Sequence, residues 1–344
     1  MRQRRPRFTD EHITMSHGAG GKASRQLVEG LIVPAFDNAS LEALGDAAML
    51  RVGGATLAFT TDSFVVRPLR FPGGSIGELA VNGTVNDLAV MGARPLGLSA
   101  ALILEEGLRA DTLRDEIAAM AAAAAAAGAS IVTGDTKVVE RGKADGMYIT
   151  TTGVGVVADG VSLGPAGVRP GDQVIVSGTI GDHGVAIMLA RGELDIDADV
   201  ASDTRELWSL ASALIDVCGD RLHCMRDATR GGVATVLNEI AMAAQVGVVI
   251  AEERLPIRPA VAGAGEILGI DPLYVANEGK LVAFVAADVA DEAVARLRSL
   301  PGGEDAAIIG EVREEPASRV LGRTTFGGHR MIDMLVGDPL PRIC

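Results

Sequence analysis

The sequence predicts a mixed α/β protein of two domains, and three observations carry that expectation. The chain has 344 residues, long for one core and comfortable for two. Hydrophobic residues make up 48% of it, ample for buried sheets and helices. Strand-like and helix-like patterns intermix on both sides of Gly164-Pro165-Ala166-Gly167-Val168-Arg169-Pro170-Gly171-Asp172, which reads as a domain junction. Neither half carries a dinucleotide fingerprint or a repeat of obvious period.

Composition narrows the function classes. Aromatics are only 3%, too few for a stacking platform for bases or sugars. A formal net charge of -14 argues against nucleic acid, and is compatible with a Mg²⁺ site without implying one. The 43 glycines, where average usage gives roughly 24, predict many tight turns and close backbone approaches. Three cysteines without paired spacing make neither a disulfide framework nor a zinc site. No apolar run is long enough for a membrane span and no signal peptide is recognisable, so cytoplasm is the default. The basic start, Arg2-Gln3-Arg4-Arg5-Pro6-Arg7, reads as a solvated extension.

The first glycine cluster is Ser16-His17-Gly18-Ala19-Gly20-Gly21-Lys22-Ala23-Ser24. Ser16 stands where a P-loop needs its first glycine and no strand precedes it, so a Walker site is rejected. The segment is either a flap that wraps phosphates through its N–H groups or a flexible leader. Asp46 precedes one apolar stretch, and Asp62 ends the strand pair running through Ala55–Ser63. Carboxylates at strand ends can face a site, although solvated turn aspartates are commoner. From Ile76 a helix runs to Gly92, with Asn82 and Asn86 on one face and Asp87 beside them. Such residues are poor helix formers, so they face water or serve a buried polar site; two glycines in the helix favour the site.

A long helix follows from Asp111 through the alanine run to Ala127, closed by Gly128. Ile131-Val132 opens a strand that breaks into a glycine loop at Thr133-Gly134-Asp135-Thr136-Lys137, placing Asp135 and Lys137 two apart. The strand Tyr148–Val157 closes this half. Beyond the junction, the strand Gln173–Ser177 meets Gly178-Thr179-Ile180-Gly181-Asp182-His183-Gly184, either an anion site or an ordinary strand-to-helix turn. Cys218 reads as core, and Cys224 lies in a short strand leading to Asp227 at the mouth of the helix Val233–Gln245. Glu278 sits at the entry to the strand Leu281–Ala286. The helix Asp288–Leu300 and strands around Ala306–Val312 and Met331–Leu335 complete the half. Last comes Pro339-Leu340-Pro341-Arg342-Ile343-Cys344. Its prolines favour an extended arm. A terminal cysteine is expected to stay out of a deep core, because its carboxylate needs solvent or a cation. The arm is a thiol on a tether or a plain frayed end.

Taken in order, several stretches resemble the HypE family of hydrogenase maturation factors. They are His17–Lys22, Gly83–Ala89, Gly134–Val139, Ile180–Gly184, Ala276–Lys280 and Pro341–Cys344, and the likeness runs from about His17 to the end. That family lies within the larger group of ATP-using enzymes typified by aminoimidazole ribonucleotide synthetase. The resemblance implies the two-domain fold of that group. A leader and flap take up 1–40, and a mixed-sheet dimerisation and ATP/Mg²⁺ domain covers 41–160. A C-terminal α/β domain covers 170–336, followed by a flexible tail over 337–344.

The resemblance also implies a chemistry. The terminal cysteine receives a carbamoyl group from the carbamoyltransferase HypF. ATP then drives its dehydration to an S-cyanide, which passes to iron on the HypC–HypD scaffold as a ligand of nickel–iron hydrogenase. Catalytic roles fall on Cys344 and on Lys137 with Glu278 as the base pair; a purely structural lysine–glutamate pair is the alternative. Lysine acts as a base only with a depressed pKa. Gly18, Gly20, Gly21 and Lys22 would close over phosphates, and Asn86, Gly134 and Asp135 would hold nucleotide. Asp46, Asp62, Asp87 and Asp227 would hold Mg²⁺ through hard oxygen donors. The rivals are a small-molecule ATP enzyme of the same fold or a non-catalytic thiol adaptor. Among the former, which also include a purine-pathway synthetase, selenophosphate synthetase is disfavoured because no cysteine precedes Cys218, and thiamine-monophosphate kinase leaves the terminal cysteine unexplained.

Overall fold

The computed structural model describes residues 7–36, 38–42, 44–192, 198–337, 340 and 342–344. Of the stretches singled out above, Arg2–Pro6, Pro339 and Pro341 lie outside the described residues.

The first half folds as a five-stranded sheet in the order 48–52, 55–64, 147–157, 93–105, 130–139. All pairings are antiparallel except the last, where Ala93–Glu105 and Ser130–Val139 run parallel around the intervening helix Ala110–Ala126. Strict alternation along Met147–Val157 turns every second side chain inward and leaves the others half-exposed. The helices Ile76–Val90 and Ala110–Ala126 pack together, and the first covers the inner face of the sheet. Leu50, Val52, Phe59, Val132 and Val138 remain exposed.

The second half is a seven-stranded sheet in the order 329–332, 319–323, 247–251, 307–313, 173–176, 281–285, 222–227. Helix Gly232–Ala244 packs on the face that carries Val174, Val176, Val282 and Phe284. Helices Trp208–Cys218 and Ala290–Arg298 pack on the face that carries Ile175, Leu281 and Val285. With both faces covered, Leu281–Val285 is a continuous apolar run, buried at every position.

Three expectations change. The strand through Gly134 does not break into a loop: Ser130–Val139 is continuous, pairing Gly134 with Ala100. A Cβ at Gly134 would lie 2.2 Å from the Ala100 carbonyl oxygen, so the glycine serves strand packing. The longest strand, Ala93–Glu105, was not expected, nor were Gly247–Ala251, Arg319–Arg323 and helix Pro259–Leu268. Finally, Cys344 is only 7% exposed, and Leu340 and Ile343 join the core between the two sheets. The carboxylate expected to require solvent is met in part by the backbone: Val65 N–H donates to a Cys344 carboxylate oxygen at 3.0 Å.

Candidate active site

Four aspartates from separate elements converge where the two halves meet. Asp46 precedes the first strand, Asp62 lies in Ala55–Phe64, Asp87 in helix Ile76–Val90, and Asp227 ends the strand Leu222–Asp227. Carboxylate oxygens of Asp46, Asp87 and Asp227 all lie within 4.8 Å of one another. Thr60 Oγ1 donates to Asp87 Oδ2 at 2.7 Å. Arg226 pairs with Asp46, and Arg230 stands 3.6 Å from Asp62.

Burial, and then the charges of Asp227, Asp46 and Asp62, hold the Asp87 carboxyl well above the usual carboxylate range. Asp227 is likewise held high by burial and then by Asp46. Burial also raises Asp46 and Asp62, against the pull of Arg226 and Arg230 respectively. Asp46 Oδ2 is buried and has no hydrogen-bond partner. A concentration of half-buried to buried carboxylates, one of their buried oxygens unsatisfied, suits a hard divalent cation such as Mg²⁺.

Two cavities flank the glycine segment. Gly20 and Gly21 line a cavity of about 1220 Å³ together with Asp46, Thr60, Thr61, Arg226 and Phe59. Gly18 and Ala19 line a second cavity of about 140 Å³ with Arg230, Tyr274 and Cys344. Arg230 therefore faces the thiol cavity while pairing with Asp62 on the carboxylate side. The glycine segment is anchored rather than a loose leader: Lys22 N–H donates to the Leu335 carbonyl at 3.0 Å, and Arg230 donates to that of Gly18 at 2.9 Å. The Lys22 ammonium points away from the carboxylates, to Asp333 at 2.7 Å.

Glu278 is buried, with Oε1 lacking a partner. Burial, then Asp62, Asp203 and Asp227, hold it well above the ordinary range. Its backbone is fixed on both sides: its N–H donates to Asp203 at 3.0 Å, and its carbonyl accepts from Asn86 Nδ2 at 3.2 Å. Asn86 also donates to the Arg205 carbonyl and accepts from Leu207 N–H. Its amide therefore orients Glu278 and ties the helix to the second half, instead of reaching the aspartates.

Lys137 is not brought to Glu278 within one chain. Its ammonium sits 2.6 Å from Asp135, and both side chains are more than half exposed on the edge strand. Sequence reasoning also passed over Arg226 and Arg230. Both lie in Met225–Gly232, where cations flanking a strand-end aspartate before a glycine pair were the available signal.

The family model described as AIR synthase related protein, N-terminal domain, matches residues 44–157, and the corresponding C-terminal domain matches 169–323. The fold is thus that of AIR synthase related proteins. A protein of Rhodobacter capsulatus named carbamoyl dehydratase HypE is 52% identical over 337 residues, covering 97% of this chain and 99% of that one. A solved HypE–HypF complex contains a chain 46% identical, with TM-score 0.86, covering 90% of this chain and 99% of that one. HypE solved in complex with ATP is 46% identical with TM-score 0.81, covering 97% and 100%. The chain belongs to the carbamoyl dehydratase HypE family of enzymes.

Proposed function

We propose that this protein uses ATP to dehydrate a carbamoyl group carried on Cys344 to a thiocyanate, supplying cyanide for hydrogenase iron. The observation that carries this reading is the placement of a terminal thiol in a small cavity, one arginine away from a largely buried carboxylate cluster. The cavity of about 1220 Å³ on the other side of the glycine segment has room for a nucleotide.

ATP would lie in that cavity, under Gly20 and Gly21, with Gly18 at the junction with the thiol cavity. Asp46, Asp62, Asp87 and Asp227 would hold Mg²⁺, which when bound offsets triphosphate charge and stabilises the transferring phosphoryl group. The carbamoyl oxygen takes the γ-phosphoryl group and ADP leaves. The carbon–oxygen bond then breaks with phosphate as the leaving group while the C≡N bond forms, one of the two nitrogen protons passing to Glu278 and the other leaving with the phosphate. Glu278 would accept a proton from that nitrogen, its raised pKa making it a stronger base than an ordinary carboxylate. Arg230 would face the charge developing on the phosphoryl oxygens.

The exposed outer side of the first sheet, with Val132 and Val138 on its open edge, suits a second copy of the chain. That dimer would bring the partner subunit's Asp135 and Lys137 toward the cleft, giving the lysine the role that its own chain withholds. A carbamoyltransferase of the HypF kind would load Cys344, and a HypC–HypD scaffold would receive the cyanide. None of the three cysteines is in a disulfide, in keeping with a cytoplasmic setting. The small-molecule reading lacks a task for the buried terminal thiol, and the thiol-adaptor reading lacks one for the nucleotide-sized cavity and the carboxylate cluster. Cys344→Ala should keep the fold and ATP binding and lose carbamoyl acceptance, as measured with labelled carbamoyl phosphate; retained label would overturn the assignment.

A further inference from the structure

Cys344 reaches its cavity only while the end of the chain is docked, and side chains with no task in the chemistry above hold it there. His183, in helix Asp182–Ala190, is fully buried. Its Nε2 lies 2.6 Å from the backbone carbonyl oxygen of Ile343, and its Nδ1 lies 2.8 Å from Ser202 Oγ. Ser202 Oγ already accepts the Thr204 N–H at 3.1 Å, so its own proton points to Nδ1. The ring hydrogen is thereby placed on Nε2, from which it is donated to the Ile343 carbonyl. Phe71 stands edge-on to the imidazole at 5.6 Å and 86°, fixing the ring plane.

Arg191, just past the end of the same helix, donates from Nε to the Arg67 carbonyl at 2.7 Å and from Nη2 to the Arg342 carbonyl. Val65 N–H holds a Cys344 carboxylate oxygen, and the Val65 carbonyl accepts from the Arg342 guanidinium at 3.1 Å. Leu340 seats against Gly184, where a Cβ would lie 3.2 Å from Leu340 Cδ1 and 2.5 Å from Val275 Cγ1.

We propose that His183 and Arg191 form a latch on the tail backbone that sets the balance between docked and released Cys344. The proposal deepens the tail-exchange reading, on which it rests: the thiol must both enter the cavity and visit another protein. Both residues grip carbonyls upstream of the sulfur, so the grip does not depend on what the sulfur carries. The same latch serves the thiol, the carbamoyl and the cyanide-bearing forms. Arg342 adopts φ +57, a left-handed conformation that side-chain-bearing residues hold only when surrounding contacts enforce it. Loss of one contact therefore favours release. His183 and Arg191 are positioning residues and touch no reacting atom.

The test is the rate at which iodoacetamide alkylates Cys344 in the full-length protein, read by peptide mass. Cys218 and Cys224 are buried, with thiols pushed up to about 11 and about 12 by burial, so their labelling reports unfolding. His183→Ala is expected to speed Cys344 alkylation about tenfold, with Cys218 and Cys224 unmodified. His183→Gln, whose amide N–H can donate to the same carbonyl, is expected to restore the slow rate. Arg191→Met is expected to speed alkylation as well. Wild-type rates in both His183→Ala and Arg191→Met would overturn the latch. If His183→Ala also labels Cys218 and Cys224, Arg191→Met decides: faster labelling of Cys344 alone supports the latch, and an unchanged rate overturns it. Alkylation needs neither ATP nor a carbamoyl donor, so a failure of the dehydratase reading would not change this readout.

Discussion

Asp87, Asp227 and Glu278 illustrate how the site works against its own charge. Each carboxyl is displaced upward, first by burial and then by negative neighbours. In the metal-free protein the folded-state values therefore lie above the unfolded ones, near 4 for ordinary carboxyls. The stability tied to these protons is complete below that range and is lost as pH rises through the raised folded values. Asp227→Asn removes one of the charges. The variant should exceed the wild type in metal-free Tm by a margin that widens from pH 5 to pH 8, equivalent to about 1 kcal/mol near neutrality. Mg²⁺ should raise the wild-type Tm and have little effect on the variant. Equal melting curves at every pH would show that the aspartates are not in repulsive contact.

At the scale of elements, the docked tail is nearly balanced. Burying Leu340 and Ile343 contributes roughly 4 kcal/mol, and the hydrogen bonds to Val65, His183 and Arg191 about the same. Ordering the segment costs roughly 7 kcal/mol. A balance so close lets the tail be seated and still leave. Leu340→Ala should release it, leaving the global Tm within about 2 °C of wild type while Cys344 becomes more reactive toward thiol reagents. A large fall in Tm would mean that the tail is an integral part of the core.

The same scale shows what the sequence could disclose. The alanine-rich helix closed by Gly128 and the alternating strand Met147–Val157 were legible because their periods are local. Ala93–Glu105 was not: Pro95 and Gly97 look like breakers, and the apolar run that follows lacks alternation. Gly134 was misread because a glycine admitting a neighbouring carbonyl resembles one that ends a strand. Taken locally, Asp46 and Asp62 look like solvated turn aspartates, and only the family resemblance groups them with Asp87 and Asp227; their convergence depends on contacts between the halves that no local pattern encodes. Burial of Cys344 depends on Val65 and His183, far away in sequence, and remained hidden for the same reason.

For the whole molecule, the two halves share one cleft, and the separation of Lys137 from Glu278 bears on assembly. If the pair forms across a dimer, a mixture of Lys137→Ala and Glu278→Gln chains regains activity that neither variant shows alone. Random pairing then leaves about a quarter of all sites with both residues, by the closed twofold symmetry of such dimers. No recovery in mixed dimers would place the lysine outside the reaction or within its own chain's site.

The most direct test of the central claim follows Cys344 itself. Intact mass is measured after incubation with a HypF-type carbamoyltransferase and its carbamoyl phosphate substrate, before and after Mg-ATP is added. The account predicts a gain of about 43 Da on Cys344, the formula mass of a carbamoyl group replacing the thiol proton, followed by an ATP-dependent loss of about 18 Da as water is removed. An unmodified Cys344, with ATP consumed only when a small metabolite is supplied, would contradict it.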